Sequence, residues 1–156
     1  TSADTVLDGL NRYGYVGART SVNVTRLRHL LAGDVLRVIS PVSRHAAATG
    51  DGPATLNVNG DDAAAAIAVA LEADELLLVS DVAGVLVDGV AVEELEADDA
   101  RQLIADGTAT GGMGAKLQAA LAALTSGVAR VRISDITAIE SLDRGTILTR
   151  VESVCA

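Results

Sequence analysis

Residues 76–86 read Leu76-Leu77-Leu78-Val79-Ser80-Asp81-Val82-Ala83-Gly84-Val85-Leu86. A short run of large apolar residues ending at Ser-Asp describes a buried strand that opens into a glycine-containing loop. Just upstream, residues 61–72 start with two acids and continue through alanines and Ile67, which predicts a helix leading into a strand at 75–79. Downstream the pattern predicts helices at 98–105, 112–123 and 136–142 and strands at 128–133 and 146–148. Short extended pieces are expected near Val85 and Val90. Toward the N-terminus, leucines at 27, 30 and 31 predict a helix over 24–32 that stops at Gly33. Residues 35–39 read as a short buried strand ended by Ser40-Pro41, residues 42–54 as a polar loop and 55–58 as another strand. Residues 13–16, broken by glycines, suggest a β-hairpin. Helices alternating with continuous apolar strands define an α/β protein with a parallel sheet covered on both faces. Ligands in such sheets bind beyond the carboxyl ends of the strands. Three places therefore stand out: the loop before Asp61, the loop after Val79 and the turn before Lys116.

Composition narrows the function classes. The chain has 156 residues, enough to bury one core, with 49% apolar residues but 1% aromatics, Tyr13 and Tyr15. Alanine occurs 28 times, so the core is expected to be small side chains in close contact. A net charge of -9 argues against a nonspecific nucleic-acid binder and against a polybasic membrane anchor. The longest apolar run, 63–71, is about half a membrane span and is flanked by acids. No secretory leader is recognisable at the start, and one cysteine, Cys155, excludes an internal disulfide, so a reducing cytoplasm is expected. Eleven of the twelve basic residues are arginines, leaving Lys116 as the single lysine.

Each of the three places has a bland and a sharp reading. In Asn57-Val58-Asn59-Gly60-Asp61-Asp62 the two amides share one side of an extended backbone. Asn59 reads as a helix cap, with the acids at the positive helix end; alternatively Asn57 is a polar hook for a ligand and Asp61 orients cationic groups. The 76–86 stretch is either a plain strand exit or a nucleotide-binding edge where Gly84 allows close backbone approach. In Thr108-Ala109-Thr110-Gly111-Gly112-Met113-Gly114-Ala115-Lys116, glycines precede a helix whose apolar stripe is Met113, Leu117, Ala120, Leu121 and Leu124. Lys116 lies at the edge of that stripe, one turn in. It is either a snorkelling lysine or the cation of a phosphate site at a helix N-terminus.

Other chemistries are excluded. Gly114 is separated from Lys116 by Ala115 and Leu117 follows, so there is no Walker A loop; Gly112-Met113-Gly114 lacks the third glycine of a dinucleotide fingerprint. His29, His45 and Cys155 have no metal-ligand spacing, so no protein-held metal is expected, and no nucleophilic triad is recognisable.

Together, Asn57-Val58-Asn59-Gly60-Asp61, Leu78-Val79-Ser80-Asp81-Val82-Ala83-Gly84-Val85-Leu86 and Gly111-Gly112-Met113-Gly114-Ala115-Lys116 resemble, in this order, the C-terminal part of the acetylglutamate kinases of the amino-acid kinase family. Gly14-Tyr15-Val16-Gly17 is similar to the family's substrate-lid hairpin, and the similarity runs from about residue 13 to Gly145-Thr146. The resemblance implies a three-layer αβα sandwich around a mostly parallel sheet. It implies transfer of the γ-phosphoryl group of ATP, with Mg2+ held mainly by the nucleotide, to the side-chain carboxylate of N-acetyl-L-glutamate or a related small molecule, in arginine biosynthesis. By the same resemblance Lys116 and Asp61 are catalytic, and Asn57 and Asn59 bind the substrate. Ser80, Asp81, Val82, Ala83, Gly84, Val85, Thr108, Gly111, Gly112 and Met113 hold the nucleotide.

The resemblance further implies a homo-oligomer with neither nucleic-acid nor membrane partners. The Gly114-Ala115 pair stands where the family has bulkier residues and is expected to loosen the helix start. The family's first strand, second catalytic lysine, Gly-Gly turn and substrate arginine have no counterpart here. The expectation is therefore a single incomplete domain, with 1–60 the end of the amino-acid lobe (lid near 13–17) and 61–156 the nucleotide lobe. Little turnover by the chain alone is expected with it. A related kinase with an aminoadipate-type substrate and a non-catalytic assembly partner are the alternatives.

Overall fold

Alternating buried and exposed positions mark the strands at 55–58, 75–79 and 94–96, and paired acids open two of the helices, at 60–71 and 97–105. A computed structural model describes residues 2–5, 16–46, 54–141 and 143–150. The chain divides into two compact units, Thr1–Leu71 and Glu72–Ala156.

In the first unit the elements are β1 (Ser2–Thr5), β2 (Val16–Ser21), α1 (Val24–Leu31), β3 (Val42–His45), β4 (Thr55–Val58) and α2 (Gly60–Leu71). The strands close on themselves in the order β1-β2-β4-β3. β1 with β2 and β3 with β4 are antiparallel, while β1 with β3 and β2 with β4 are parallel. Asn23 caps α1, its Oδ1 accepting the Arg26 N–H at 3.0 Å, and Leu27 is the buried residue of that helix. Asn59 does the same for α2, accepting the N–H groups of Asp61 at 2.8 Å and Asp62 at 3.2 Å. Leu56 and Val58 point inward from β4, and Ala63, Ala65 and Ala68 form the buried stripe of α2. Alanine lets this helix sit close to its neighbours in a chain that has neither Phe nor Trp. The expected hairpin at 13–16 falls mostly outside the described residues; Val16 opens β2.

Two expectations fail here. Residues 35–39 are not a buried strand: Leu36 and Val38 are each 90% exposed, and no strand pairs with them among the described residues. Instead the Val35 N–H donates to the Gly33 carbonyl at 2.7 Å and Arg37 Nε to the Leu30 carbonyl at 2.6 Å. An apolar run becomes a buried strand only where another layer covers it. The strand forms one step later, at Val42–His45, within the expected polar loop. There pairing with β4 satisfies its backbone.

The second unit contains β5 (Glu75–Val79), β6 (Leu86–Val87), β7 (Val90–Ala91), β8 (Glu94–Glu96), α3 (Ala97–Ala105), α4 (Gly111–Thr125), β9 (Arg130–Ser134), a 3-10 turn (Ile136–Ile139) and β10 (Thr146–Thr149). Its main sheet has the order β5-β9-β10-β8, and β6 with β7 forms a separate hairpin. β5 runs parallel to β9 in the register Glu75↔Arg130 to Val79↔Ser134; β10 is antiparallel to β9 and parallel to β8. The α/β class holds, with parallel and antiparallel pairs mixed in both sheets. Leu78, Val131, Ile133 and Leu148 from the sheet are buried, as are Leu117, Ala120, Ala123 and Leu124 from α4. β8 is an edge strand whose two glutamates flank one buried residue, Leu95, too short a pattern to stand out in the sequence.

Candidate functional site

β5 emerges from the sheet at Val79, and the Ser80 N–H continues the ladder by donating to the Ser134 carbonyl at 2.7 Å. The chain then leaves the sheet. Ser80 Oγ donates to Asp81 Oδ1 at 3.2 Å, and the loop runs on to Val85. On the other side, α3 ends at Ala105 and a turn at Asp106 leads into α4. The Thr108 N–H donates to Asp106 Oδ1 at 2.9 Å. That backbone hydrogen bond, with further ones from the Thr108 hydroxyl and Gln102, holds the Asp106 carboxyl below its ordinary value. Gly111 enters α4 at φ +54, a left-handed conformation that L side chains rarely adopt, and the Thr110 side chain makes no capping hydrogen bond to the helix.

Between the loop and the helix start lies a cleft of about 580 Å³, lined by Val79, Ser80, Asp81, Val82, Leu86, Thr108, Ala109, Thr110, Gly112, Met113 and Lys116. Its size falls within the roughly 300–1,000 Å³ usual for small-molecule sites. Met113 and Lys116 lie one turn apart on the same side of α4, so helical spacing delivers both to the cleft. Lys116 is half-buried. Gly114 does not loosen the helix start. It is buried, and a Cβ there would lie 2.9 Å from the Ala109 carbonyl oxygen, so its lack of a side chain lets α4 sit against that turn.

Of the expected site residues, Ser80, Asp81, Val82, Thr108, Gly112, Met113 and Lys116 line this cleft, whereas Ala83, Gly84, Val85 and Gly111 do not. Val85 is 1% exposed and turns into the core. Ala109 and Thr110, inside the 108–113 stretch expected to cradle the nucleotide, line the cleft as well; sequence reasoning missed Val79 and Leu86, which flank the 80–85 stretch. Asn57, Asn59 and Asp61 belong to the first unit. Asn57 is exposed on β4 opposite Leu56 and Val58, Asn59 serves as the helix cap, and Asp61 is half-buried in the first turn of α2. Next to it, desolvation and then the Asp61 charge raise the Asp62 carboxyl above its ordinary value. Among the described residues no three His, Cys, Asp or Glu side chains gather as a metal site.

The sequence profile of the amino acid kinase family matches residues 1–135. The chain belongs to this family. Among the curated members it resembles, the acetylglutamate kinase of Ruegeria pomeroyi is 49% identical over 123 residues, 78% of this chain and 41% of that enzyme. The acetylglutamate kinase of Roseiflexus castenholzii is 46% identical over 135 residues, 86% of this chain and 49% of that enzyme. The chain thus spans about half the length of the curated relatives it matches. Among solved structures, smu.665 of Streptococcus mutans UA159 superposes with a TM-score of 0.79 at 31% identity, covering 95% of this chain and 56% of that one. N-acetylglutamate synthase of Neisseria gonorrhoeae does so with a TM-score of 0.74 at 26% identity, covering 93% of this chain and 34% of that one. The amino acid kinase fold therefore accommodates both units of this chain.

Proposed function

We propose that this amino acid kinase chain binds MgATP in the cleft of its second unit and takes part in phosphorylating the side-chain carboxylate of N-acetyl-L-glutamate, a step of arginine biosynthesis. The observation that supports this reading is the convergence of Ser80–Val82, Thr108–Thr110, Gly112, Met113 and Lys116 on one cleft, in a chain 42–49% identical to acetylglutamate kinases.

The reaction joins two anions. A carboxylate oxygen attacks the γ-phosphorus while the bond to the ADP oxygen breaks, so the protein's task is positioning and charge neutralisation. Lys116 supplies a compact positive charge against the phosphates, and the uncapped N–H groups at the start of α4 add the positive end of the helix dipole. Val79, Leu86 and Met113 offer apolar surface to a base. The acceptor oxygens of Asp81 suit ribose hydroxyls, since a carboxylate beside the phosphates would repel them. Mg2+ bound to the nucleotide would neutralise its phosphate oxygens. In the first unit, Asn57 and Asn59 engage polar groups of the acceptor, and the Asp61 carboxylate is an acceptor that orients cationic groups.

Titration calorimetry with MgATP tests the nucleotide role. Wild type should bind one nucleotide, and Lys116→Ala should weaken it by about tenfold or more, the usual scale for a lost charge-assisted contact. Lys116→Arg should not restore it, because a forked guanidinium does not replace a point charge. Absence of binding, or equal binding by Lys116→Ala, overturns the reading. Trapping the acyl phosphate with hydroxylamine across N-acetylglutamate and aminoadipate-type acceptors decides the substrate.

A further inference from the structure

The loop after β5 is held from behind by two hydroxyls that are remote in sequence. Thr146, at the start of β10, is 0% exposed. Its Oγ1 accepts the Val85 N–H at 2.7 Å and donates to the Val92 carbonyl at 2.6 Å, so its single proton and an acceptor site are both used. Ser134, at the end of β9, is 1% exposed, and its Oγ donates to the Ala83 carbonyl at 3.3 Å. Between these contacts sits Gly84, where a Cβ would lie 2.6 Å from Thr146 Oγ1. Gly145 brings the two hydroxyl-bearing residues together: at φ +101, a Cβ on it would lie 2.5 Å from Ser134 Cβ. Ala83, Gly84 and Val85 thus do not line the cleft, yet they fix the backbone that presents Ser80, Asp81, Val82 and Leu86 to it.

We infer that Thr146 is a positioning residue for nucleotide binding, its hydroxyl pinning the 80–86 loop in the shape that forms one wall of the cleft, with Ser134 as its auxiliary. The inference rests on the nucleotide reading of that cleft. Thr146→Val keeps the shape of the side chain but leaves the buried Val85 N–H without its acceptor and removes the donor to the Val92 carbonyl, whereas Thr146→Ser keeps the hydroxyl.

The test is MgATP affinity by calorimetry, with Tm measured beside it, for wild type, Thr146→Val, Thr146→Ser, Ser134→Ala and, as a core control, Leu148→Ala. Thr146→Val should bind about tenfold more weakly, the scale of one buried donor left unpaired. Thr146→Ser should stay within about threefold of wild type, and Ser134→Ala should lose about threefold, as fits its longer bond. Leu148→Ala should lower Tm with its affinity unchanged below Tm, which separates positioning from mere stability. Should Thr146→Val not fold, the weakening by Ser134→Ala relative to Leu148→Ala carries the test. Wild-type binding with equal affinity in Thr146→Val or, if that variant does not fold, in Ser134→Ala overturns this inference alone. So does a Thr146→Ser as weak as Thr146→Val, or a control that weakens equally. Wild type that binds no MgATP overturns the nucleotide reading itself and this inference with it.

Discussion

Arg132 lies in the middle of β9, 2% exposed, with its Nε 2.8 Å and its Nη2 2.5 Å from Glu75 Oε1 on the neighbouring strand. Its Nη1 donates to the Ser141 and Arg144 carbonyls at 3.2 and 3.3 Å, so one guanidinium ties two strands to the turn that leads into Thr146. Arg130 also pairs with Glu75 at the rim. Breaking a buried pair leaves a charge without compensation, which costs about 3–5 kcal/mol. Glu75 is 20% exposed and Arg132 keeps its two carbonyl partners, so Glu75→Gln is expected to lower stability by less, about 1–3 kcal/mol, measured by urea unfolding. Replacing the exposed Arg130 with Ala should cost about 1 kcal/mol or less.

Two glycines of one helix should respond oppositely to alanine. At Gly112 a Cβ meets nothing within 4 Å, and at Gly114 it meets the Ala109 carbonyl oxygen at 2.9 Å. Gly112→Ala should stabilise by up to about 1 kcal/mol through helix propensity. Gly114→Ala should destabilise by about 1–2 kcal/mol, since overpacking against backbone exceeds that gain. Thermal unfolding of the two variants checks the pair; a stabilised Gly114→Ala would show that α4 does not need its close approach.

Stability should fall in acid for a local reason. Hydrogen bonds from Thr108 hold the Asp106 carboxyl below 3.8, and the Thr137 hydroxyl and N–H, with the Arg144 charge, do the same for Asp135. A carboxyl lowered in the folded state contributes stability that is fully present above its unfolded value and is lost as pH falls through its folded value. Asp106→Asn and Asp135→Asn should thus lower Tm at neutral pH. The gap to wild type should close as pH drops below 3.8.

The exposed run 35–39 predicts a substitution without penalty. Leu36 is 90% exposed, so Leu36→Lys should change stability by no more than about 0.5 kcal/mol and raise solubility. Light scattering and Tm read the two effects. A Tm drop of several degrees would mean that Leu36 is covered after all.

Much of the second unit was legible residue by residue. The Leu76–Val79 run, the glycine-punctuated start of α4 and the single Lys116 are local signals, and local periodicity led to most of the elements, although the helix expected at 136–142 is a 3-10 turn at Ile136–Ile139. The failures share a cause. Val35–Ile39 has the composition of a buried strand, but burial depends on what lies across from it. β8 is not legible in the sequence because three residues with one inward leucine carry almost no period. Arg132 looked like any charged residue.

What the chain determines by itself is therefore the α/β class and the helix that carries Lys116, because spacing and glycine act within a few residues; the kinase motifs are read from the family resemblance. Which of the loop residues face the cleft and which turn back toward Thr146 was decided only by tertiary structure. So was the burial of Arg132 against Glu75. The partners in those contacts are 61 and 57 residues apart, and only the crossing of strands brings them within hydrogen-bond reach.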